Sequence, residues 1–258
     1  MLLLISPAKT LDYETPVPRA LAARATEPLF TARAAELIGV LRKKKPAQVA
    51  RLMDLSERLA ELNVARYAAW SPEATPDNSR PAAWAFAGDV YEGLQAQTLK
   101  AGDWTWAQQH LVILSGLYGV LRPLDRLQPY RLEMGTALRV KRTKDLYGYW
   151  GDALAEHLNA CQEGEAEPVV VNLASIEYSR AALRRALRAR VVDCVFEDWK
   201  GSGYKFISFF AKQARGMMAR HAIARRAERP DQLEDFATEG YAFDRAASEP
   251  DRLVFRRR

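Results

Sequence analysis

The stretch "HLVILSGLYGVLRPLDRLQPYRLEMGT" (residues 110–136) decides how the rest of the chain is read. It opens on Leu111–Leu114 ("LVIL") and then reaches Ser115 and Gly116. A run so short and so apolar reads as a strand buried on both faces, as at the centre of a parallel sheet. Gly116 and Gly119 break it. The segment ends on "YRLEMG" (130–135), where alternation predicts a return strand with Arg131 and Glu133 on one face and Leu132 and Met134 on the other.

Two further runs have the same character: "LLLIS" (2–6) and "VVVNLAS" (169–175). Each ends in small polar residues, Ser6 in one, Asn172 and Ser175 in the other. If the three runs are parallel neighbours, "SPAKT", "SGLYG" and "NLAS" all emerge at strand carboxyl ends, the edge where open α/β sheets bind ligands. Lys9 then lies near Ser115, with Arg122 and Arg131 in reach. Ser6, Lys9, Ser115, Arg122, Arg131 and Glu133 are thus candidates for a cleft that takes an anion. Two internal pairings compete with that reading: Arg131 with Glu133, and Arg122 with Asp125.

Further strands are predicted at 83–88, 191–200, 204–210 and 252–257. Helices are predicted at 31–42, 47–67, 146–160, 176–189, 211–227 and 231–239, the second with Leu52, Leu55, Leu59 and Leu62 on one side. The fold class is therefore α/β, or mixed α+β: one domain over 1–258, with a mixed, largely buried sheet surrounded by helices. Nothing approaches a membrane span, and "MLLLIS" is too short for a leader peptide. Two cysteines in 258 residues fit a reducing cytoplasm.

The chemistry-bearing motifs are few. Three histidines and two cysteines stand in no ligand-like spacing, so neither a metal site nor a cofactor is expected. "ILSGLYG" matches neither a nucleophile elbow nor a phosphate loop, and no catalytic residue is assigned. Charge is more informative. The net is +6, but residues 179–229 hold thirteen Lys or Arg against four Asp or Glu. A local excess of that size suggests a polyanionic partner. Arg180, Arg184 and Arg188 are expected on one helix face, and Lys205, Lys212 and Arg215 straddle a strand-to-helix junction. "LRKKKPAQVARLMDLSERLA" (41–60) sets Lys43, Lys44, Lys45 and Arg51 around a turn between helices, where phosphate oxygens can be held.

Taken together, "ISPAKTLD", "AFAGDVYEGL", the 110–136 stretch, "LYGYWGD", "VVNLASIEYSRA" and "YKFISFFAKQARGMMAR", in that order, resemble the YaaA family of bacterial peroxide-stress proteins. The resemblance implies a cytoplasmic protein that limits damage from hydrogen peroxide, in part by keeping unincorporated iron low. It implies an unusual α/β domain with a positively charged cleft, duplex DNA as a partner without sequence specificity, and a helix-hairpin-helix element, here placed within 31–67. It carries no catalytic role. The alternative left open by the residues themselves is an enzyme acting on a small anionic or nucleotide-like substrate in the same cleft.

Overall fold

The three apolar runs do lie side by side. In the computed structural model, which describes residues 1–258, strand β1 (Leu2–Ile5) is flanked on both sides by parallel partners. On one side is β2 (Leu111–Ser115), with Leu3 opposite Leu111. On the other is β4 (Val169–Leu173), with Leu4 opposite Asn172. Strand β3 (Gly119–Leu121) is the hairpin return of β2. Strands β5 (Arg190–Lys200) and β8 (Arg252–Arg257) continue the parallel set beyond β4. Short antiparallel strands β6 (Gly203–Lys205) on β5 and β7 (Ala242–Phe243) on β8 complete eight strands.

The parallel strands run in the spatial order β2-β1-β4-β5-β8. The chain leaves β1 toward one side and returns to build the other, so a topological switch point falls between β1 and β4. Ser6 and Ser175 stand at the carboxyl ends there. A contiguous core of 72 buried residues extends from Met1 to Phe255.

Besides single helical turns at Arg19–Ala22 and Ala82–Ala85, the helices are α1 (Thr31–Leu41), α2 (Pro46–Met53), α3 (Glu57–Ala69), α4 (Asp89–Leu94), α5 (Ala101–His110), α6 (Leu146–Trp150), α7 (Ala153–Cys161), α8 (Ile176–Ala182) and α9 (Ser208–Arg225). The longest, α9, lies on β1, β4 and β5 and crosses α4. That crossing is close enough to require glycine on both sides. A Cβ on Gly216 would collide with the carbonyl of Val90, and one on Gly93 with that of Gln213.

Several expected elements differ. Residues 130–135 form no strand, because side chains take the backbone groups a ladder would use. The Tyr67 hydroxyl donates to the Arg131 carbonyl (2.5 Å), and Glu177 accepts from Gly135 N (2.9 Å). The helix expected over 47–67 is two helices, divided where Asp54 turns left-handed (φ 50°) and Ser56 caps the next start. That expected over 146–160 breaks at Gly151 (φ 53°). Over 176–189 only the first half is helical, so Arg180, Arg184 and Arg188 form no ridge on one helix face. Residues 204–210 are strand only to Lys205, and α9 begins at Ser208. Residues 231–239 reduce to one tight turn, Pro230–Leu233, and 83–88 to a helical turn followed by a two-residue strand.

Candidate functional site

At the switch point the polar residues hold one another. The Ser6 hydroxyl accepts from Ser175 N (2.9 Å) and lies 3.3 Å from the Ser175 hydroxyl. Tyr91, from α4, donates to the Ser6 carbonyl (3.1 Å). Ser115 is fully buried: its Oγ accepts from Tyr118 N (2.9 Å) and pairs with the Tyr130 hydroxyl (2.7 Å). It fixes the Gly116–Gly119 turn and faces no solvent. Burial pushes the phenols of Tyr91, Tyr130 and Tyr178 well up, so this floor carries neutral hydroxyls.

Charge stands on the rim. Lys9 Nζ lies 2.5 Å from Glu133 Oε1, and Arg131 reaches the same oxygen at 3.5 Å. The Arg131–Glu133 pairing is thus real but shared, although no strand presents it. Only 15% of the Arg131 side chain is exposed, and its Nε has no hydrogen-bond partner. Arg66, on α3, is a third cation here. Its nearest polar partner is Asn63 Oδ1 at 3.5 Å, and desolvation lowers its pKa, with Arg131 adding to the effect. Two cations therefore share one carboxylate, and Arg66 adds a third positive charge beside Arg131. Arg66 escaped the sequence reading because a lone arginine on a polar helix face gives no periodic signal.

Arg122 belongs elsewhere. Its backbone N donates to Asp125 Oδ2 (2.8 Å) and its guanidinium pairs with Oδ1 (3.1 Å), which closes the turn after β3. No contact brings it to Lys9 or Glu133.

The hairpin between α1 and α2 leaves Lys43, Lys44, Lys45 and Arg51 without an acidic partner, and all but Lys44 are exposed. Pro46 takes the first helical position, and Gln48 Oε1 accepts from Lys45 N (2.8 Å), so a glutamine closes the N-terminus that lysine cannot cap. Arg42 turns inward: its Nε donates to the Tyr67 carbonyl (2.8 Å), and its Nη2 reaches the carbonyls of Ala68 and Trp70 at the end of α3. Tyr67 thus has the hairpin on its carbonyl and Arg131 on its hydroxyl. One residue, through its backbone carbonyl and its hydroxyl, links the hairpin to the cleft.

Across the rim, Gly88 packs against Ala8 beside Lys9, and the neighbouring Asp89 pairs with Lys212 (3.6 Å). Lys205 is exposed and unpaired. Arg215 is largely withdrawn beside Asp193 and Cys194, and burial lowers its pKa. Much of the basic 179–229 stretch is spent internally: Arg184 on Asp152, Arg190 on Asp251, Arg226 on Asp103, and Arg220 on the carbonyls ending α4. Its summed charge overstates the surface it offers. Behind Tyr91 and Gly88 lies a cavity of about 330 Å³; it carries Asp12 and Glu92 but no Lys or Arg, and does not suit an anion.

A family model described as "Peroxide stress protein YaaA" matches residues 1–247. A UPF0246 protein of Leptothrix cholodnii is 62% identical over all of this chain and 98% of its own length. Similar proteins from Verminephrobacter eiseniae (60%, covering 98% of that protein) and Bordetella pertussis (57%, covering 99%) also match this chain from end to end.

Proposed function

The chain belongs to the YaaA family of peroxide stress proteins, and from that premise we propose that it acts by binding double-stranded DNA without base preference. The surface runs from the Lys43–Lys45 hairpin through Arg66, Arg131 and Lys9 to Lys212 and Lys205. The observation that carries this reading is Tyr67, which ties the hairpin to the cleft and makes two separate basic clusters neighbours. On this reading α1, the hairpin and α2 act as a helix-hairpin-helix element. Lysines and Arg51 take phosphate oxygens, and release of counterions drives association. Coverage of the backbone limits the damage that peroxide and unincorporated iron do to DNA in the cytoplasm. No helix of the fold is long and apolar enough to cross a membrane. Changing Lys43, Lys44 and Lys45 together to Glu tests the reading by duplex titration. Loss of binding with an unchanged melting temperature is expected; undiminished binding would reject the hairpin's role.

One observation favours a second reading. The buried, unpartnered Nε of Arg131 lies beside Lys9 and Arg66 near the switch point, where open α/β sheets hold small anions. Glu133, paired with two of these cations, would compete with such a ligand for them. Inorganic phosphate should then raise the melting temperature of the wild type and not of Arg131→Ala; equal responses would dismiss a ligand at this place.

A further inference from the structure

The cations of β5, β6 and α9 are interleaved with aromatic rings that the duplex reading leaves unused. Phe206, Phe209 and Phe210 are 55%, 53% and 37% exposed, and Trp199 is 42% exposed. Soluble surfaces rarely leave so many large apolar groups together without a partner. The rings are held in place. Arg257 lies over Phe210 (4.6 Å), Arg258 over Trp199 (5.1 Å), and Arg215 beside Phe206 (5.9 Å). Trp199 and Tyr204 face each other across the β5–β6 hairpin with centroids 5.1 Å apart.

Charge selects the occupant. The two acids of the β5 end are already matched: Glu197 by Arg256 (2.9 Å) and Asp198 by Arg257 (2.7 Å). Lys200, Lys205 and Arg258 have no acidic partner. A ligand must therefore be anionic and offer flat apolar faces. A second copy of this surface would set like charges against each other across a twofold axis. A bilayer would need the rings in one plane. Alternation along the hairpin instead puts Trp199 and Tyr204 on the face opposite Lys205, so the rings wrap an edge.

We propose that these exposed aromatic residues form a stacking platform for unpaired bases of single-stranded DNA, with Lys200, Lys205 and Arg258 on its phosphates. The platform deepens the DNA reading and rests on it. It adjoins the proposed duplex surface through Lys205 and, on α9, Lys212. Bases stack on aromatic rings whatever their identity, so no sequence preference follows.

Trp199 supplies a direct readout. It is the one exposed residue among six tryptophans, since Trp70, Trp84, Trp104, Trp106 and Trp150 are all buried. Oligo-dT, a duplex, and phosphatidylglycerol vesicles should be titrated against the wild type, Trp199→Phe and the double variant Phe206→Ala/Phe209→Ala. Oligo-dT is expected to quench wild-type emission, and the quench to vanish in Trp199→Phe. The double variant should bind oligo-dT about tenfold or more weakly, as loss of one stacked base gives, and bind duplex within about twofold of wild type. Because these rings are exposed, both variants should keep the parent melting temperature. Duplex binding without oligo-dT binding, or oligo-dT binding unaffected by the double variant, overturns the platform and leaves the duplex reading standing. Absence of both overturns the two together. Preference for vesicles, or self-association that the double variant abolishes, assigns the surface to another occupant and also overturns it.

Discussion

Ser115 shows how little room the candidate cleft leaves for nucleophilic chemistry. Its hydroxyl satisfies a buried backbone N–H and a buried phenol at once. Removing it leaves both without a partner, so Ser115→Ala should destabilise the protein by about 1–3 kcal/mol, measured by urea unfolding. An unchanged midpoint would show that the turn does not depend on it. Arg131 and Glu133 stand in the opposite condition. They are partly buried; Arg131 Nε has no hydrogen-bond partner, and one Glu133 oxygen is shared by two cations. In either functional reading, the two cations paired with Glu133 would supply the attraction for an anion.

At the scale of elements, the contact between α4 and α9 positions Asp89, Tyr91 and Lys212 together. Its closeness depends on glycine, so Gly216→Ala should cost about 1–3 kcal/mol or more through overpacking. Equilibrium unfolding at two denaturants checks this, and a stability equal to the parent would mean the helices can part without penalty. The three parallel central strands were legible because apolar runs of four or five residues have few other readings. The site was legible only in outline. Lys9 follows from its place just after the first strand, and Arg131 from its spacing to Glu133, but Tyr67 does not. On sequence it is one more residue of a helix with a leucine stripe, and only the fold shows its hydroxyl on the Arg131 carbonyl. The 130–135 strand failed for a related reason. Alternation cannot reveal that side chains from α3 and α8 will take the backbone partners a strand would need. The extra helix break at Asp54 needed a left-handed residue without glycine, which pattern reading does not expect.

At the scale of the whole molecule, the phenols define its alkaline limit. Burial pushes Tyr118 up to about 12, and burial together with Glu36 does the same for Tyr149. Tyr13, Tyr67, Tyr91, Tyr130, Tyr178 and Tyr241 are also raised by burial. Between the ordinary phenol value of 10.0 and these raised values, the unfolded chain loses protons that the folded chain keeps. Fewer protons are bound unfolded than folded, so stability must fall as pH rises from about 10 toward 12. Tyrosinate absorbance should then appear in step with loss of circular dichroism. Smooth titration of the phenols with structure retained would contradict this account of the core.

The central claim is that the hairpin and the cleft form one electrostatic surface for duplex DNA. Its most direct test is the slope of log affinity against log salt for the wild type, Lys43→Ala/Lys44→Ala/Lys45→Ala, and Lys9→Ala. A steep wild-type slope is expected, reduced by about 0.9 for each phosphate contact removed, so that both the hairpin variant and Lys9→Ala flatten it. Absence of binding at low salt, or a slope that neither variant changes, would contradict the account.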